Sequence, residues 1–161
     1  MQILVIRHAH AEDAVFPGGS DATRELTPKG RKLFTEFVER LIKPASVPDM
    51  VLHSPLVRTT QTAEILAQTT SLRPDQVRME QLMAPGTPAA RVVSGLSSIQ
   101  VDRLALVGHN PDVGLLASHL IGGGSFDFKK GSIACIDLDG DLTSGSGRLV
   151  WFASPKLFVK D

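Results

Sequence analysis

The sequence predicts an α/β fold: a three-layer sandwich, helices on both faces of a mostly parallel sheet, with an antiparallel edge strand. Three observations carry this. Short apolar runs at 3–6, 50–52 and 104–107 are too uniformly apolar to alternate in and out, so they read as strands covered on both faces. Between them lie amphipathic stretches of helical period, and strand–helix alternation of this kind builds parallel sheets. Near the end, two strand-like runs at 132–138 and 148–152 flank an Asp- and Gly-rich stretch, the pattern of a hairpin.

Ile3-Leu4-Val5-Ile6 forms the first strand and runs directly into Arg7-His8. A loop is expected over 12–25. Thr27-Pro28 then supplies an N-cap and a first-turn proline, and Leu33, Phe34, Phe37, Val38 and Leu41 line one helical face until Pro44 and Pro48 stop it. Met50 to His53 is the second strand, and Ser54-Pro55 opens a second helix expected to run to about Ala67. Residues 77–79 form a weak strand, and 88 to about 99 a third helix with Val92, Val93 and Leu96 inward. Leu104-Ala105-Leu106-Val107 is a further buried strand ending at Gly108-His109. Asn110-Pro111 opens the fourth helix, which Gly122-Gly123-Gly124 terminates. The whole of 1–161 reads as a single domain.

Composition removes several classes. Lys plus Arg and Asp plus Glu number 17 each, so no overall basic field argues for nucleic acid, and an anion site must be local. Hydrophobic residues at 42% and charged residues at 21% are those of a soluble globular protein. No segment has transmembrane length, the first apolar run is too short for a signal peptide, and a cytoplasmic protein is expected. The single cysteine, Cys135, reads as a small buried hydrophobe. No cluster of metal-ligand spacing is evident, so neither a metal nor another cofactor is expected.

Function is read from where the strands stop. In a parallel sheet the ends at Arg7-His8, His53-Ser54 and Gly108-His109 share one edge, the edge at which such sheets gather ligands. Arg58, in the first turn of the second helix, lies close to it, and two helices begin there with N–H groups that attract anions. Two arginines, two or three histidines and two helix starts make a local electropositive pocket, for which phosphate is the natural occupant. His10 either faces this pocket or is a solvated loop residue. His53 and His119 read as structural, and Asp21 and Arg24 either form a local ion pair or border the pocket. Phe126, Phe128, Trp151 and Phe152 are expected to pack on the sheet.

The same residues carry a family resemblance. Arg7-His8-Ala9 looks like the Arg-His-Gly/Ala signature of the histidine phosphatase superfamily. Ser54 to Ala63 resembles its Ser-Pro-x-x-Arg-x-x-Gln-Thr-Ala segment, and Leu106 to Pro111 its second histidine motif. Leu26-Thr27-Pro28-Lys29-Gly30 matches a recurring Leu-Thr-x-x-Gly, and the four stand in family order. Short length and the form Arg-His-Ala-His-Ala-Glu are similar to the SixA-type phosphohistidine phosphatase branch. The resemblance implies that His8 is the nucleophile and that Arg7, Arg58 and His109 bind the phosphoryl oxygens; Asn110 is a further candidate substrate-binding residue. It implies a phosphohistidine-containing phosphotransfer protein as substrate.

One departure stands out. Larger members of the superfamily carry a mid-chain acid that protonates the leaving oxygen, and here the stretch 79–85 offers only Glu80. An alkoxide needs that proton, whereas phosphorylated imidazole leaves as a neutral ring with a parent pKa near 6.5. Two other readings remain open: a small-molecule phosphomonoesterase with Glu80 as acid, and a non-catalytic phosphate-binding module.

Overall fold

In the computed structural model, residues 1–13 and 20–158 are described, so the middle of the loop expected over 12–25 lies outside the described residues. A six-stranded sheet runs β3-β2-β4-β1-β5-β6, with β1 Gln2–Arg7, β2 Met50–His53, β3 Val77–Met79, β4 Arg103–Gly108, β5 Ile133–Leu138 and β6 Gly147–Ala153. The strands β3, β2, β4 and β1 are mutually parallel. The closing hairpin adds two antiparallel strands at that side, β5 against β1 and β6 at the edge.

Alternate residues of each central strand enter different cores, which is why those strands are aliphatic throughout. Ile3, Val5, Leu104 and Leu106 pack toward α3 (Ala89–Leu96) and α4 (Asp112–Ile121). Leu4, Ile6, Ala105 and Val107 pack on the other face, toward α1 (Pro28–Leu41) and α2 (Val57–Thr70). Cys135 lies in this second core, 1% exposed, and burial pushes its thiol up to about 12, which makes it inert at neutral pH. Phe152 packs edge-on against Phe126 and Phe128, with the Phe128 and Phe152 ring centroids 4.9 Å apart.

Several boundaries differ from the sequence reading. The second helix starts at Val57, because Ser54-Pro55 forms the turn before it, and it runs on to Thr70 before Ser71 turns left-handed at φ 59°. The third helix stops at Leu96 rather than near Ile99. At α1 the expected cap is present, with the Thr27 hydroxyl accepting from Gly30 N at 2.9 Å. At the end of α4, Gly122 takes φ 81° as anticipated for a C-terminal glycine.

This topology places the site. β1 and β4 are neighbours and end together, with Arg7 opposite Gly108, while β2 ends beside β4 with His53 opposite Val107. Because β5 runs antiparallel to β1, its first residue, Ile133, stands beside Ile6 and brings residues 126–131 to the same edge.

Candidate active site

His8 and His109 follow the carboxyl ends of β1 and β4 and meet with ring centroids 5.4 Å apart. Both are buried, at 6% and 4% exposed. The His8 backbone N–H donates to the Gly108 carbonyl at 3.0 Å, so the two strand ends are tied where the rings face. His8 Nδ1 lies 2.7 Å from the Ala9 carbonyl. A carbonyl only accepts, so Nδ1 carries the proton and the lone pair is left on Nε2.

Burial pushes His8 down to about 3, an effect reinforced by His109, Arg58 and Arg7 and opposed by the Ala9 carbonyl. Burial and then Arg58 push His109 down to about 4, against the pull of Asp21. Both rings are therefore neutral at pH 7, and Nε2 of His8 is available as a nucleophile.

The two guanidiniums are held from behind. Arg7 Nη1 donates to the Phe128 carbonyl at 2.7 Å, and Asn110 Nδ2 donates to the same oxygen at 3.0 Å. Arg58 Nη1 donates to the Asp21 carbonyl at 2.8 Å and Nη2 to Asp21 Oδ2 at 3.0 Å. Arg24 grips the other oxygen of that carboxylate through Nε at 2.9 Å and Nη2 at 2.6 Å. Asp21 is thus shared between two arginines, which hold its carboxyl below the usual range, Arg24 first. It both forms the local ion pair with Arg24 and borders the site.

Each guanidinium has five N–H donors, and these contacts leave most of them free. Among the described residues, buried side-chain atoms without a hydrogen-bond partner include Arg7 Nε, Arg58 Nε and His109 Nδ1. Orphaned buried polar atoms are rare in folded proteins, and here three belong to one site. The two guanidinium nitrogens need an acceptor, and so does His109 Nδ1 in the tautomer whose Nε2 accepts from the Ser54 hydroxyl. A tetrahedral oxyanion meets this need.

The supporting shell comes from motif residues whose individual roles the sequence did not show. Ser54 Oγ lies 2.8 Å from His109 Nε2. Thr62 Oγ1 accepts from Ala9 N at 3.0 Å and donates to the Arg58 carbonyl at 2.7 Å, which ties the turn after His8 to α2. Gln61 Oε1 accepts from Leu26 N at 2.8 Å and anchors the segment that follows Asp21.

Glu80 stands at the carboxyl end of β3, three strand positions from β1, roughly 14 Å at about 4.8 Å per strand. Its carboxylate accepts from Leu82 N at 2.9 Å and caps a short turn. His53 donates through Nδ1 to the Ser54 carbonyl at 2.8 Å, a structural bond. His10 is exposed and borders a cleft next to Arg7. Among the described residues, no group of three or more His, Cys, Asp or Glu side chains is placed to hold a metal ion, and no helix is long and apolar enough to cross a membrane.

The sequence model of the histidine phosphatase superfamily (branch 1) matches residues 3–82, the stretch that holds Arg7, His8 and Arg58. An uncharacterized protein of Picosynechococcus is 30% identical over 165 residues, spanning 99% of this chain and 94% of its own length. The chain belongs to the histidine phosphatase superfamily. Phosphohistidine phosphatase SixA of Escherichia coli is 28% identical over 159 residues, covering 96% of this chain and 94% of that protein. A structure of the protein histidine phosphatase SixA complexed with tungstate superposes with a TM-score of 0.81 at 26% identity, covering 98% and 99% of the two chains. A mycobacterial glucosyl-3-phosphoglycerate phosphatase shares the fold, with a TM-score of 0.66 at 19% identity over 92% of this chain and 96% of its own. As a member of this superfamily the protein is a phosphatase.

Proposed function

We propose that this phosphatase removes the phosphoryl group from phosphohistidine on a protein partner, through a phosphohistidine of its own at His8 and without a metal ion. One observation carries the covalent route: the Nδ1 proton of His8 is committed to the Ala9 carbonyl, so the buried, neutral ring presents an unprotonated Nε2. In the first step this lone pair bonds to phosphorus, and the bond from phosphorus to the substrate's imidazole nitrogen breaks. The departing ring, protonated on its far nitrogen, leaves as neutral imidazole. The His8 ring gains positive character, which the Ala9 carbonyl on Nδ1–H stabilises. Water then attacks phosphorus, the electron pair returns to Nε2, and inorganic phosphate departs. Arg7, Arg58 and His109 hold the equatorial oxygens, whose charge is spread in a loose transition state. Removing a preorganised donor of this kind costs about 10²–10³-fold in rate.

Two features support imidazole as the leaving group. Glu80 Oε1 accepts from Leu82 N, which gives this side chain a capping role in the turn after β3. Similarity to SixA over nearly the full chain points the same way. The competing reading, a small-molecule phosphomonoesterase, is favoured by the fold shared with a glucosyl-3-phosphoglycerate phosphatase and by the position of Glu80 at the ligand edge of the sheet.

The test offers a phosphohistidine phosphotransfer domain and a panel of alkyl phosphates to the wild-type protein and to Glu80→Gln. The phosphotransfer domain is the expected substrate, and Glu80→Gln is expected to change its turnover less than threefold. Preference for an alkyl phosphate, with a loss of about 10²–10⁴-fold in Glu80→Gln, supports the phosphomonoesterase instead.

A further inference from the structure

Beside the phosphoryl site lies a cleft of about 320 Å³ that shares Arg7 with it. Its floor is apolar, made by Ala9, Leu33, Phe34 and Pro155, and Lys130 and Lys156 stand with Arg7 around it. No Asp or Glu lines it among the described residues. Lys129, also at this cleft, is paired with Asp127, whereas no ion pair among the described residues involves Lys130 or Lys156. In a chain whose charges balance overall, this is a local excess of positive charge around an apolar hollow.

The hollow is built by close backbone approach. Gly131 holds φ +79°, and a Cβ there would stand 2.9 Å from Pro155 Cγ and 3.2 Å from Phe34 Cδ2. The Gly131 N–H donates to the His8 carbonyl at 3.0 Å, which ties the cleft wall to the nucleophile's own backbone. A volume of this size is at the small end of ligand pockets and admits one bulky side chain.

Resting on the phosphohistidine reading, we propose that this cleft is the docking subsite for the chain beside the phosphohistidine. It takes an apolar side chain flanked by carboxylates on the protein substrate. Charge complementarity sets the register and speeds encounter, and the apolar floor excludes partners that present a polar residue at that position. Because the cleft shares Arg7 with the phosphoryl site, a residue seated in it lies next to the phosphoryl group.

The test compares two phosphohistidine peptides of equal length. One carries leucine flanked by glutamates beside the phosphohistidine, and the other carries serine flanked by lysines. The ratio of their kcat/KM values is read within each protein sample, so any loss of folded enzyme cancels; phenyl phosphate monitors turnover independent of the peptide. For the wild-type protein the acidic, apolar peptide is expected to be preferred by about tenfold, and the preference to shrink as salt is raised from about 50 to about 500 mM. In Lys130→Glu/Lys156→Glu the preference is expected to vanish or invert. A wild-type ratio near one, a ratio indifferent to salt, or one that survives the charge reversal overturns the inference while both peptides are still consumed. If neither peptide is consumed while phenyl phosphate is, the phosphohistidine reading itself has failed and the docking subsite falls with it.

Discussion

At the scale of residues, the proposed chemistry depends on two buried imidazoles that stay neutral beside two guanidiniums. His8 is pushed down to about 3 and His109 to about 4, burial being the larger cause in each. Both folded values lie below the unfolded value near 6.5, so the unfolded chain binds more protons between about pH 3 and 6.5. The stability these rings contribute is fully present above pH 6.5 and is lost as pH falls through that window. Imidazole resonances of His8 and His109, followed by NMR in the phosphate-free protein, are expected to show no protonation step above pH 5. A step near pH 6.5 for His8 would remove the basis for a neutral resting nucleophile. Arg7, His8, Arg58 and His109 were legible in the sequence because each stands at or just after a strand end or in a helix's first turn. Asp21 was legible only as two alternatives: its grip on Arg58 depends on the 3₁₀ turn Asp21–Thr23, which no periodic pattern announces. Ser54 was read as opening a helix, whereas its hydroxyl lies against His109.

At the scale of elements, α2 organises the edge. Arg58, Gln61 and Thr62 lie within its first two turns and reach the site, the Leu26 segment and the turn after His8 respectively. Thr62 is fully buried, so Thr62→Val keeps the shape but leaves Ala9 N without its acceptor. The expected cost is about 1–3 kcal/mol, read as a lower urea midpoint at unchanged m-value, with slower turnover. Thr62→Ser, which restores the hydroxyl, is expected to recover most of both. Stability and rate indifferent to Thr62→Val would show that α2 does not hold the His8 turn. Helix and strand identities followed from period and from aliphatic runs, whereas helix boundaries slipped by a few residues. Proline marks a turn as readily as a first helical residue, and at Pro55 the turn prevailed.

At the scale of the molecule, the strand order β3-β2-β4-β1-β5-β6 brings residues from 7 to 128 in the sequence to one edge, and the balanced chain becomes locally cationic there. The parallel part of this order was implied by strand–helix alternation. That β5 docks antiparallel on β1 was not, because hairpin pairing leaves its neighbour in the sheet unspecified. This docking delivers the Phe128 carbonyl to Arg7 and Asn110, and with it the cleft wall at Gly131. With positive charge supplied by side chains, turnover of phenyl phosphate is expected to be unchanged by EDTA and by added Mg²⁺ or Zn²⁺. Loss of activity on chelation, restored by a metal, would require a different catalytic plan.

The proposed mechanism requires that His8 carry the phosphoryl group during turnover. Rapid acid-free quenching of the protein reacting with ³²P-labelled substrate, followed by peptide mapping, tests it directly. Label that is acid-labile and alkali-stable on the peptide containing His8, absent from His8→Ala whose activity falls below a few per cent, is the predicted result. Turnover with no label on that peptide, or a His8→Ala protein that keeps substantial activity, would contradict it.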